Sequence, residues 1–273
     1  MEPLRERLLS NADGEEDLAR MSLLDHLEEL RRRLLWSVVA LAVAFFPCWY
    51  LVDKLFVFLE APIINLPAMH GKKLAFTGLT DPFVLYFKVA ALAAVFVAAP
   101  FILYQLWKFI SPGLYKRERL YILPFLFFGS GFFLLGGAFA YYIAFPYATQ
   151  FLLGIGENFE PVITIERYFS FLMTMILGLG LMFELPIVIF ILCQVGVVTP
   201  RFLMRHFRYA IVIIFIVAAV VTPTTDIVNM CIFAFPTLGL YLLGVGAAAV
   251  AGRNKAQRKA EEALARAAAG EAE

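Results

Sequence analysis

The strongest constraint on this chain is the spacing of its long apolar runs. They lie at about residues 34–52, 83–110, 120–145, 168–198, 209–222 and 227–250. A helix crosses a hydrocarbon core about 30 Å thick with about 20 residues. No water reaches the backbone there, so each run must close its hydrogen bonds internally. The fold class expected is all-α: a polytopic integral membrane protein with six transmembrane helices. Composition agrees, with 62% hydrophobic and 16% charged residues, against roughly 45–50% apolar in a soluble domain.

The runs also predict shape. Pro100 and Pro186 interrupt the second and fourth, and each removes a helical hydrogen bond and crowds the carbonyl four residues back, so helices two and four are expected to kink. The fifth run, Tyr209 to Val221, covers only about 20 Å at about 1.5 Å per residue. The sixth carries Pro236 and several glycines. Short helices five and six are therefore expected, with local thinning of the bilayer, around a concave cavity.

Orientation follows from Lys and Arg near the span ends. Eighteen lie on the side of both termini and four on the other, with Lys88 inside a span. The positive-inside rule then places both termini in the cytoplasm. The expected organisation is an N-terminal extension over 1–20, a six-span domain over 21–252 and a charged, flexible or fraying tail over 253–273. Basic and acidic residues nearly cancel, 23 against 22, and no basic stripe stands clear of the apolar runs, so no nucleic-acid partner is expected. Cys48, Cys193 and Cys231 fall inside apolar runs and read as small buried hydrophobes. No phosphate loop, zinc spacing or dinucleotide motif is present, so an enzyme, a cofactor and a metal are not expected.

Three stretches carry chemistry. In LMFELPIVIF, residues 181–190, Glu184 stands alone among apolar side chains, and an acid at such depth is a functional-site candidate by default. Desolvation favours the neutral form of a carboxylic acid, so Glu184 is expected to donate a hydrogen bond into a partly hydrated cavity open toward the outer half of the bilayer. In SLLDHLEELRRRLLW, residues 22–36, leucines recur at helical spacing behind a Ser22/Asp25 capping pattern, which reads as an amphipathic helix at the interface. Glu28 with Arg32 and Glu29 with Arg33 are pairs four apart that stabilise a helix whatever else they do. In YQLWKFISPGLYKRERL, residues 104–120, Glu118 lies between Arg117 and Arg119.

HLEELRRRL at 26–34, AP at 61–62, APFILYQLWKFISPGLYKRER at 99–119, FELP at 183–186 and VTPTTD at 221–226 resemble the TatC family, the six-span subunit of the twin-arginine protein translocase. The likeness runs from about Met21 to about Gly252. It implies binding of signal peptides bearing paired arginines and proton-motive-force-driven export of folded proteins across the cytoplasmic membrane of a prokaryote. The resemblance assigns Glu29 and Glu118 to the arginine pair, with Arg31, Phe109, Pro62 and Pro100 at functional positions nearby, and Glu184 to the intramembrane acid of span four. It implies single-span TatA-like and TatB-like partners, docked on spans five and six near Thr222, Asp226 and Asn229, together with membrane lipid and further copies of the chain. Local capping around Pro223 is the alternative reading of that last polar group.

Arginine physics supports the assignment. A planar, permanently charged guanidinium suits bidentate carboxylate contact, so a receptor for two arginines needs at least two acids on a surface otherwise basic. A proton-coupled small-molecule transporter using Glu184 is the rival class, but such folds show repeats and paired discontinuous helices, and no repeat is visible. An intramembrane protease fits less well, because His26, His70 and His206 all lie outside the apolar runs. The glycines flanking Ser130 read as helix-packing positions.

Overall fold

The computed structural model describes the backbone of residues 2–64, 74–110, 122–156, 158–160, 162–222, 224 and 226–270. Its side chains are described over 26–64, 74–109, 126–156, 158–160, 162–194, 196–222, 224 and 226–252. Among the described residues the regular secondary structure is helical, apart from one isolated bridge between Ala75 and Thr164. The helices are α1 (Glu2–Tyr50), α2 (Val52–Ile64), α3 (Asp81–Ile110), α4 (Ile122–Phe139), α5 (Phe145–Ile155), α6 (Ile165–Phe183), α7 (Leu185–Val195), α8 (Pro200–Arg205), α9 (Phe207–Val221) and α10 (Ile227–Gly270). Among the described residues five apolar segments are long enough to cross a membrane, at His26–Tyr50, Asp81–Phe109, Leu126–Ile155, Ile165–Gln194 and Ile227–Gly252, and α9 is a shorter apolar helix. Each of the six apolar runs is thus helix over most of its described residues.

Neighbours along the chain pack as neighbours in space. α1 lies on α3, α3 on α4, α4 on α6, and α10 on both α7 and α9. Phe145, Phe169, Leu172, Met175, Leu179 and Phe233 form the fully buried centre. α1 touches the bundle through a narrow seam that includes Ala44 and Cys48, four residues apart, while Val39, Val43 and Phe46 are exposed. A helix apolar on every side and buried on one is what lipid demands. Between α4 and α6 the backbones meet closely: a Cβ on Gly136 would lie 2.7 Å from the Leu179 carbonyl oxygen and 2.9 Å from the Gly180 Cα. Only glycine fits such an approach.

Several helices differ in detail from the sequence expectation. The stretch 22–36 is no separate interfacial helix; α1 runs through it unbroken to Tyr50, because no glycine or proline stands between Leu23 and Phe46. The Ser22/Asp25 pattern lies outside the residues whose side chains are described. α3 continues through Pro100, whereas span four is interrupted at one residue, Glu184, where α6 ends and α7 begins. Pro186 has no N–H for the Met182 carbonyl, and the Glu184 N–H instead makes a tight bond to Leu181 O at 3.1 Å. Helix five is short, at 15 residues. Helix six is not: α10 carries Pro236 internally and runs for 44 residues, since the tail is built of Ala, Glu, Lys and Arg, all strong helix formers.

A π-helical turn, Ala140–Ala144, links α4 to α5. Pro146 follows it, and the turn's Phe145 N–H bonds Ala140 O, so the ladder is re-registered just ahead of a residue that cannot donate. Tyr141 on this turn donates to Phe58 O, and Tyr168 donates to Leu59 O at 2.8 Å. These hydroxyls clamp α2 across one end of the bundle. The strand-like contact of Ala75 with Ile163 and Ile165, at 3.1 and 2.8 Å, closes the same end.

Candidate functional site

At the opposite end, α1 and α3 build a polar seam. Arg33 Nη2 donates to Glu29 Oε1 at 2.9 Å, one helical turn away, and Arg33 Nη1 donates to Gln105 Oε1 at 3.3 Å on α3. Both charged side chains are about four-fifths buried, at 18% and 21% exposure, where a charged hydrogen bond is worth more than on open surface. His26, two turns before Arg33, stacks on Phe109 with centroids 4.4 Å apart. Lys108 Nζ lies 4.7 Å over the Tyr104 ring. The seam therefore presents a carboxylate with one oxygen engaged by Arg33 and no hydrogen bond from a described residue to the other.

Of the residues expected here, Glu29 and Phe109 share this seam. Arg31 is exposed on α1 and Pro100 on α3, nine residues before Phe109 and about 13 Å along the axis. Pro62 is in α2, at the other end of the bundle, so the fold separates it from Glu29. Glu118 lies outside the described residues. Gln105 was not singled out by the sequence. Its signal was present nonetheless, as a buried amide inside an apolar run, the same pattern that marks Glu184.

Glu184 sits at the junction of three helices. A Cβ on Gly129 of α4 would lie 3.6 Å from Glu184 Oε2, 3.6 Å from Ile187 and 3.2 Å from Leu103 of α3. Glu184 Oε1 and the Oγ of Ser130, next in sequence to Gly129, are each buried with no hydrogen-bond partner among the described residues. Leu103 is six residues from Phe109 and Gly129 three from Leu126, so the acid lies toward the end of the bundle that holds Arg33; the charge count assigns that end to the cytoplasm, whereas the sequence expectation was a cavity open toward the outer half. Lys88 is exposed far along α3 and is no partner. Gly129 makes the expected close packing; Gly131 meets nothing within 4 Å.

The polar group at the start of α10 is a helix cap. Asp226 Oδ1 accepts from the Asn229 N–H at 2.7 Å, and the Asn229 Nδ2 donates to Asp226 Oδ2 at 2.8 Å and to Thr224 Oγ1 at 2.9 Å. Desolvation pushes the Asp226 carboxyl upward, but the hydrogen bonds from Asn229 and Thr224 outweigh it and hold the group below the usual carboxylate range. Asn229 is fully buried and Thr222 nearly so. Their side-chain oxygens, Asn229 Oδ1 and Thr222 Oγ1, have no partner among the described residues. Capping thus accounts for Asp226 and the amide nitrogen of Asn229, and leaves two acceptors over.

Fold and site define a multi-pass helical membrane protein that gathers a buried carboxylate and aromatic rings at one mouth of its bundle. The family model of the Sec-independent protein translocase protein (TatC) matches residues 25–236. The chain is 48% identical over 252 residues to the Sec-independent protein translocase protein TatC of Koribacter versatilis, covering 92% of this chain and 93% of that one. It is 42% identical to that of Helicobacter pylori strain J99, covering 81% and 86%. A crystal structure of the twin arginine translocase receptor TatC superposes with a TM-score of 0.73 at 34% identity, covering 83% of this chain and 99% of that one. The chain belongs to the TatC family.

Proposed function

We propose that this chain is the receptor subunit of a twin-arginine translocase and binds signal peptides at the α1–α3 seam. The observation that carries this reading is the Glu29 carboxylate, held by Arg33, which Gln105 anchors in turn, beside the His26–Phe109 stack, within a family of which one crystal structure is described as a twin arginine translocase receptor. A peptide guanidinium meets the second oxygen of Glu29, and Glu118 supplies the second acid; Arg31, Pro62 and Pro100 act through the shape of the surrounding helices. TatA-like and TatB-like single-span subunits dock on α9 and α10, where Thr222 Oγ1 and Asn229 Oδ1 accept from a polar side chain. Both termini face the cytoplasm, on the eighteen-to-four distribution of basic residues, and the chain acts as a non-enzymatic translocase component in the cytoplasmic membrane. The deciding experiment is photocrosslinking of a twin-arginine signal peptide to probes at residues 22–33 and 108–119 in native membranes. Crosslinks at both segments, lost when the arginine pair is replaced, are expected; labelling elsewhere only would refute the site.

A further inference from the structure

The corner between α8 and α9 carries a second charged feature that signal-peptide recognition leaves unused. A groove of about 580 Å³ is lined by Arg201, Phe202, Arg205, His206, Arg208 and Tyr209. Thr199 caps α8, its hydroxyl accepting from the Phe202 N–H at 3.2 Å, and Pro200 starts the helix with its φ already helical. Arg201 and Arg205, four residues apart, therefore project from one face. The chain then turns at His206 and re-enters helix, which brings Arg208 into the same groove.

Among the described residues nothing in the groove neutralises these three cations: no described carboxylate lines it, the segment 196–208 contains no acid, and none of the three arginines joins an ion pair with a described residue. Arg208 Nη2 donates to the Tyr209 hydroxyl at 3.1 Å and the guanidinium lies 4.8 Å over that ring, so one fork is already oriented. His206 Nδ1 bonds Phe202 O at 2.9 Å, with the two rings 4.2 Å apart. The result is a set of planar donors beside a half-exposed aromatic surface.

We propose that this corner binds the phosphate of an anionic phospholipid. Guanidinium forks match phosphate oxygens in pairs, and the position matches the lipid source. The exposed apolar face of α9, formed by Val212, Ile213 and Ile216, begins four residues after Arg208, about 6 Å along the helix axis. A headgroup on the arginines thus lays its acyl chains on that face. Tyr209 stands at the boundary, as aromatic residues do at membrane interfaces. Basic clusters at this level attract anionic lipid. The site is independent of the receptor reading, since it shares no residue with the α1–α3 seam.

The test is native mass spectrometry of the full chain released from mixed micelles of phosphatidylglycerol and phosphatidylcholine. Wild type is expected to retain phosphatidylglycerol over phosphatidylcholine by at least about tenfold, the scale of one or two charge-assisted hydrogen bonds. The triple variant R201Q/R205Q/R208Q loses that preference, and millimolar inorganic phosphate leaves the wild-type lipid in place. Equal retention of the two lipids by wild type, or an unchanged preference in the triple variant, overturns the proposal. Displacement of the lipid by inorganic phosphate would assign the groove to the free anion and overturn it too. Should the triple variant not fold, R205Q alone is read the same way, with reduced retention expected and unchanged retention refuting the site.

Discussion

Arg33 on α1 donates to Gln105 on α3 at 3.3 Å, across 72 positions of sequence, and this bond ties the receptor seam to the helix that carries Phe109. Gln105 is 6% exposed, so Gln105→Leu leaves a mostly buried guanidinium nitrogen without its acceptor. The expected cost is about 1–3 kcal/mol, read as a lower melting temperature of the purified protein in detergent. An unchanged melting temperature would mean that water replaces the amide.

Glu29 is the acid whose geometry is known, and its charge is what a peptide arginine requires. Glu29→Gln keeps size and hydrogen-bonding capacity but removes the charge-assisted pair, worth about 1.5–3 kcal/mol. Signal-peptide binding is expected to weaken by roughly tenfold to a hundredfold with expression and insertion intact, and Glu118→Gln acts in the same direction. Replacing the peptide's Arg-Arg with Lys-Lys also weakens binding, because Lys offers no fork. Equal affinity for both peptides, measured in nanodiscs, would exclude a bidentate site.

The Asp226 cap predicts a pH dependence. Its folded carboxyl is held below the usual range by Asn229 and Thr224, against desolvation, so it binds fewer protons folded than unfolded. Stability from this group is full above the unfolded carboxylate pKa of about 4 and is lost as pH falls through the lower folded value. Asp226→Ala is expected to cost about 1 kcal/mol near neutrality, the usual worth of an N-cap. Melting curves of wild type and variant should converge under acid conditions. A gap that persists there would show that the carboxylate charge is irrelevant to the cap.

Gly136 tests the α4–α6 contact. A leucine there collides with the Leu179 carbonyl and Gly180, which are backbone and cannot swing aside. Overpacking of this kind costs about 1–3 kcal/mol or more, whereas Gly131→Leu, with nothing within 4 Å, is expected to be tolerated. Equal melting temperatures for the two variants would contradict the packing.

The fold was legible wherever one physical rule acted alone. Apolar run length gave the five long apolar segments and the shorter α9, because lipid leaves a backbone no option except helix. Pro186 marked the change at Glu184 for the same reason. Lengths near the ends were not legible: α1 and α10 extend beyond their apolar runs through residues that are simply good helix formers, and hydropathy is blind to those. Glu29 and Phe109 lie on one seam, whereas Pro62 lies at the other end of the bundle and Arg31 is exposed. Sequence order cannot tell which residues of two packed helices face each other across 72 positions. The depth of Glu184 was not legible for a similar reason. Its depth is set by which turns of α3 and α4 pack beside it, and Leu103 and Gly129 are identified only in three dimensions.

Glu184 offers a separation of stability from function. Its Oε1 and Ser130 Oγ are both buried without partners among the described residues, and a buried polar group without a partner costs about 1–3 kcal/mol. If the acid serves only the resting bundle, removing it should lower stability and leave transport intact. If it awaits a polar group from a signal peptide or partner span, the opposite pattern is expected. Glu184→Leu then melts no lower than wild type in isolation, because an apolar side chain replaces an unpaired one beside Leu103 and Ile187. Glu184→Ala fails in export of a folded twin-arginine cargo and in crosslinking to single-span partners. Glu184→Gln retains activity, since the amide still donates a hydrogen bond from the same position. Normal export by the Ala variant, together with a lowered melting temperature for Glu184→Leu, would show that the carboxyl is structural.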